Sequence, residues 1–123
     1  MADHKSVQKW LDDYISAWKS YDPAAIGALF TEDATYKYNP YDEPVRGREV
    51  IVANWLENRD KPNTYSAEYK PIAVDGNTAV ANGRSHYFKE DGTPFRQFDN
   101  IFVMEFDNQG RCMAFTEWFM QPR

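Results

Sequence analysis

Apolar residues in the first third of the chain recur at steps of three and four. Val7, Trp10, Leu11, Tyr14 and Trp18 form one stripe, the mark of an amphipathic helix with a single face turned to a core. Ser20 and Tyr21 end that helix, and Asp22-Pro23 opens a second with a carboxylate cap and proline in its first turn. Ile26, Leu29 and Phe30 supply the apolar face of this short helix. A brief strand is predicted over 34–39, cut off by Pro40, and the loop 40–47 holds two prolines and a glycine. The 3.6-residue period returns over about 48–58, with Ile51, Val52, Trp55 and Leu56 inward.

The second half alternates instead. Asp75-Gly76-Asn77, the stretch 90–94 and the stretch 107–110 are turn signals at regular intervals. They separate four strands, predicted at 64–74, 78–89, 95–106 and 111–120. Short loops imply that successive strands pair antiparallel. The order is α-α-β-α-β-β-β-β, an α+β domain over 1–123. Strands this long twist and curl, so three helices across the concave face of the antiparallel sheet would close a cone around a pocket.

Composition narrows the class. The chain has 123 residues, 42% of them hydrophobic and 16% aromatic, enough for one packed core without disulfide or metal staples. The ring content exceeds what a core of this size needs, so some rings are expected at a cavity or a subunit interface. Net charge is −5 with no basic stripe, which argues against a nucleic-acid partner. Mean hydropathy is −0.75 and the apolar runs are short, which argues against a membrane span. The polar opening residues do not look like a signal peptide, and the lone Cys112 suits a reducing, cytoplasmic setting. Two His and one Cys far apart show no metal-ligand spacing, and no phosphate-cradling glycine pattern occurs, so neither metal nor cofactor is expected.

Two strands carry the candidate chemistry. Over 78–89, Val80, Asn82, Arg84, His86 and Phe88 share one face, while Ala79, Ala81, Gly83, Ser85 and Tyr87 share the other. In the last strand Met113, Phe115, Glu117 and Phe119 share a face, which places Glu117 among apolar neighbours. Two readings follow: a site in which Arg84 and Glu117 orient and charge His86, or a structural Arg84–Glu117 ion pair with His86 exposed at the sheet edge.

Several stretches resemble the nuclear-transport-factor-2-like superfamily, and more narrowly its SnoaL-like branch. "ALFTEDATYKYNP" is similar to that family's second helix running into its first strand, "PVRGREVI" to the cap before its third helix, and "FDNQGRCMAFTEWFM" to its final hairpin. The likeness covers nearly the whole chain and implies the conical fold. It leaves the reaction open, because the superfamily includes ketosteroid isomerases, polyketide cyclases, scytalone dehydratases, epoxide hydrolases and non-catalytic binding modules.

"GRSHYF" and "FTEWF" resemble the stretches where epoxide-hydrolase relatives place an arginine and two carboxylates, with His86 standing at the middle position. Tyr14 and Asp99 resemble the two oxyanion donors of ketosteroid isomerase, although pairing Phe102 inward would turn Asp99 to solvent. "SYD" at 20–22 with Tyr38 looks like scytalone dehydratase, while Asp22 alternatively serves only as a helix cap. The resulting expectation is a cofactor-independent enzyme doing acid/base chemistry on an apolar, oxygen-bearing small molecule. Its expected catalytic groups are His86, Glu117, Arg84 and Asp99. Tyr14, Trp18, Tyr38, Trp55 and Phe102 are expected against the substrate, with Tyr14 and Tyr38 donating to its oxygen. A homodimer through the open sheet face is expected from the resemblance, with Trp10 and Phe115 weighed as interface rings. The alternative is a non-catalytic ligand-binding or dimerisation module of the same shape.

Overall fold

The computed structural model describes residues 1–123. Helix α1 (His4–Ser20) starts in a reciprocal cap: the Asp3 carboxylate accepts from the Ser6 N–H at 2.7 Å, and the Ser6 hydroxyl accepts from the Asp3 N–H at 3.0 Å. Its buried stripe is Val7, Trp10, Leu11, Tyr14 and Ala17, with Trp18 one position round the helix and only partly buried. The helix stops at Tyr21, which adopts the left-handed conformation at φ 50°.

In helix α2 (Pro23–Gly27) the Asp22 side chain accepts from the Ala24 N–H at 3.2 Å, so Asp22 caps the helix as its sequence position suggests. Only Ile26 of the predicted apolar face belongs to α2. Leu29 follows the helix, and Phe30 opens strand β1 (Phe30–Lys37), four residues before the predicted start. The exposed pair Glu32-Asp33 sits at a register break in this strand and hides its alternation from a sequence reading. A two-residue strand, β2 (Val45–Arg46), was not predicted. It lies inside the expected loop and pairs Thr35 with Arg46 and Tyr36 with Val45.

Helix α3 (Arg48–Glu57) and strands β3 (Tyr65–Asp75), β4 (Thr78–Phe88), β5 (Pro94–Phe106) and β6 (Cys112–Met120) match the predicted elements to within a residue or so. The six strands form one curved, unclosed sheet in the order β2-β1-β6-β5-β4-β3. Strands β3 to β6 pair antiparallel in succession, as their short loops require, and β1 lies parallel to β6. Helix α1 packs on β3, and α3 packs on β1.

Aromatic rings dominate the space between helices and sheet. Tyr36 stacks on Phe115 with centroids 4.4 Å apart, and Tyr69 tilts against Phe102 at 4.6 Å. Trp10 and Phe115 are buried inside this core and not on an interface, and the Trp10 indole donates to the Leu29 carbonyl at 2.9 Å. Gly83 is required on the inner face of β4. A Cβ there would lie 1.9 Å from the Glu68 carbonyl oxygen and 2.5 Å from the Tyr69 ring. The missing side chain lets Tyr69 lie across β4 toward the core centre.

Candidate active site

Between the C-terminal end of α1, the loop after α3 and the inner sheet face lies a cavity of about 150 Å³. That space suits a benzene-sized molecule. Eight of its twelve lining residues are aromatic: Tyr14, Trp18, Tyr21, Tyr36, Tyr38, Trp55, Tyr69 and Tyr87. Asn58, Asp60, Ser85 and Glu117 supply the rest.

Glu117 is placed by the alternation of β6, which turns Phe115 and Glu117 inward. Met113, expected on the same face, is exposed instead. An extra residue at 113 interrupts the β5–β6 register, which pairs Phe106 with Cys112 and Glu105 with Ala114. Burial among rings pushes the Glu117 carboxyl up to about 7, because the charged form loses its hydration. One group works against that rise: the Asn100 amide N–H donates to Oε2 at 2.7 Å. The Ser85 hydroxyl donates to the other end of the same amide at 3.0 Å, so the amide presents its NH₂ and not its oxygen to the carboxylate. Oε1 has no protein partner and stays open to the cavity. This is the oxygen free to carry or collect a proton.

Tyr14 and Tyr36, both in the lining, hold a further donor. The Tyr14 and Tyr36 hydroxyls lie 3.0 Å apart, and burial holds both well above the usual phenol range. One proton serves the bond between them, leaving the second free to donate. The Trp55 indole N–H is the one buried side-chain polar atom without a hydrogen-bond partner. The Tyr38 ring lines the wall, while its hydroxyl donates to Asn54 Oδ1 at 2.7 Å.

The mouth holds a second carboxylate. Asp60 Oδ2 accepts from the Trp18 indole at 3.0 Å and from the Tyr21 hydroxyl at 3.4 Å, and the Asp60 N–H donates back to that hydroxyl at 2.8 Å. The left-handed backbone of Tyr21 brings its ring to this position, a conformation costing a non-glycine residue roughly 1 kcal/mol. Trp18 is fixed from behind by Tyr65, stacked at 4.5 Å.

The three expected catalytic residues other than Glu117 do not face this cavity. Arg84, His86 and Asp99 lie on the opposite, outer side of the sheet. Arg84 and Asp99 face each other across β4 and β5, with Nε 3.4 Å from Oδ2, and both are about half exposed. His86 Nε2 sits 3.1 Å from Glu68 Oε1. The reason is the pleat: Ala79, Ala81 and Ser85 are buried, so their face is the inner one and the Arg84–His86 face must be the other. The structure therefore corrects the grouping of His86 and Arg84 with Glu117, and the alternative Arg84–Glu117 ion pair does not form either. Asp99 turns outward because Asn100 and Phe102 turn inward. Phe102 lies beneath the wall, 1% exposed and covered by Tyr69, and does not line the cavity. Of the other expected residues, Glu117, Tyr14, Trp18, Tyr38 and Trp55 come together around it.

Tyr21, which entered only through the "SYD" resemblance, lines the cavity, whereas Asp60, Ser85, Tyr87 and Asn100 were not singled out from the sequence. For Ser85 and Tyr87 a signal existed, since small and aromatic residues alternate on one face of β4 and charges on the other. Asp60 follows Asn58-Arg59 in an irregular loop and carries no periodic signal.

The SnoaL-like domain family matches residues 11–115. The chain belongs to this family. Among solved structures, an NTF-2 like protein of unknown function from Burkholderia xenovorans LB400 superposes with a TM-score of 0.72 at 20% identity, covering 97% of this chain and 86% of the other. An LEH-like epoxide hydrolase of M. tuberculosis superposes with a TM-score of 0.70 at 16% identity, with the same coverages. At such identities the likeness is one of fold, and the SnoaL-like chain shares the NTF2-like architecture with both. No curated protein matches the sequence at a significant level. No helix of this SnoaL-like chain is long and apolar enough to cross a membrane.

Proposed function

We propose that this SnoaL-like chain, acting as a single domain, is a cofactor-independent enzyme in which Glu117 transfers a proton to or from a small oxygen-bearing molecule. The observation that carries the reading is the Glu117 carboxyl, raised to about 7 with one oxygen held by Asn100 and the other open to an aromatic cavity. A carboxyl poised there serves as acid and base at neutral pH. The spare proton of the Tyr14–Tyr36 pair is the donor available to a substrate oxygen on which negative charge develops. Isomerisation, dehydration and cyclisation all use such a set. A substrate of roughly benzene size fills the space, so a fused polycyclic skeleton would not be enclosed.

The test needs no prior substrate. Small cyclic ketones are incubated with the protein in D₂O, and loss of the protons beside the carbonyl is followed by NMR. The reading expects exchange that rises as Glu117 ionises through about pH 7, that vanishes in Glu117→Gln and that persists in His86→Ala. Exchange equal in wild type and Glu117→Gln would overturn it. Binding without exchange would favour the second reading, a ligand-binding module, which rests on the aromatic cavity alone.

The same proposal includes a homodimer through the outer sheet face. Val80, Ile101, Val103 and Trp118 cluster there across β4 to β6, and Trp118 is 44% exposed. Sedimentation of wild type against Trp118→Lys decides this point. A cytoplasmic setting belongs to the proposal too, supported by the single cysteine, which is buried and free.

A further inference from the structure

The cavity carries a charge pattern that proton transfer alone does not require. Aromatic rings make up eight of the twelve lining residues, and the two ionisable acids among the rest are Asp60 and Glu117. No Lys, Arg or His lines it. Neither carboxylate has a cation within salt-bridge distance. Glu117 receives only the neutral Asn100 amide, and Asp60 only the neutral Trp18 and Tyr21 donors. A carboxylate set among aromatic rings has the chemistry that attracts a cation, since the face of an aromatic ring carries negative charge. An anionic molecule would meet the Asp60 carboxylate with no Lys, Arg or His among the lining residues to offset it. The mouth is the better end for a positive group, because Trp18 and Tyr21 both bond Asp60 there and Tyr87 lies 6.1 Å from Trp18, centroid to centroid. Tyr21 already attracts a cation from the chain itself: the exposed Arg59 guanidinium lies over its ring at 5.7 Å.

Resting on the proton-transfer reading above, we infer that the molecule bound here carries a positively charged nitrogen, an ammonium or quaternary ammonium group, seated between Trp18, Tyr21 and Tyr87 with Asp60 as counter-ion. Its oxygen-bearing end then reaches inward to Glu117. Asp60 is a specificity-determining residue in this arrangement and takes no part in the proton transfer.

The experiment compares choline with its uncharged isostere 3,3-dimethylbutan-1-ol by calorimetric titration of the wild-type protein. The pair differs in charge and hardly in shape, so the comparison needs no variant that might fail to fold. Choline is expected to bind at least roughly tenfold more tightly. Asp60→Asn, checked for native near-ultraviolet dichroism, is expected to remove most of that preference. Equal or tighter binding of the isostere, or no binding of either compound, would overturn the inference. The two readings fail separately. Loss of the charge preference in a protein whose Glu117 still exchanges ketone protons removes the cationic substrate and leaves the proton transfer. A charge preference in a protein without Glu117-dependent exchange supports the cation site and removes the enzyme.

Discussion

Replacing Glu117 by glutamine should make the protein more stable, and by an amount that depends on pH. The carboxyl sits at about 7 in the folded chain against an ordinary 4.5. Below the lower value both folded and unfolded chains hold the proton, and the group makes no difference. Between the two values the unfolded chain releases a proton that the folded chain keeps, so stability falls as pH rises. Above about 7 both are ionised, and the wild type carries the whole cost of a carboxylate desolvated among rings. The interval corresponds to about 3 kcal/mol at about 1.4 kcal/mol per pH unit. Glutamine keeps the shape and has no charge to desolvate. Denaturant unfolding of both proteins near pH 5 and near pH 8 should show the gap shifting by about 2.5 kcal/mol in favour of Glu117→Gln. A gap that stays constant across that range would refute the reasoning, because it would mean that Glu117 is ionised in both states throughout.

Further outcomes follow from the same geometry. Asn100→Ala strips the one hydrogen bond that favours the charged Glu117 and leaves the Ser85 hydroxyl without its acceptor, so stability should fall by about 1–3 kcal/mol. The Glu117 midpoint should rise further in that variant, measurable as an upward shift in the pH dependence of unfolding. Gly83→Ala drives a methyl into the Glu68 carbonyl and the Tyr69 ring, and thermal unfolding should show a loss of about 1–3 kcal/mol with weakened ligand binding. Arg84→Ala breaks a half-exposed pair on the outer face and should cost at most about 1 kcal/mol, with no change in the Glu117 midpoint.

How far the residues announce this arrangement varies by element. The helix stripe of Val7 to Tyr14 and the three turn signals were enough to lay out α1 and the four-stranded meander, because burial on one face forces periodicity. The start of β1 was hidden, since its pairing with β6 is parallel and distant in sequence while Glu32 and Asp33 interrupt its alternation. Glu117 could be picked out as an acid among apolar neighbours. His86 and Arg84 were grouped with it because alternation says which residues share a face and not which face is inside. That choice belongs to packing: Gly83 and the alanines of β4 leave room for Tyr69 and α1, and the charges go outward. Asp60 was invisible for another reason, since its role depends on Tyr21 turning left-handed at the end of α1 to meet a loop 39 residues away.

The central claim is that one carboxyl in this cavity holds its proton to neutral pH. Selective ¹³C labelling of the glutamate side chains, with Glu117→Gln to assign the signal, allows its titration to be followed directly. The account expects the Glu117 carboxyl resonance to titrate with a midpoint near 7. A midpoint in the ordinary glutamate range near 4.5 would contradict it.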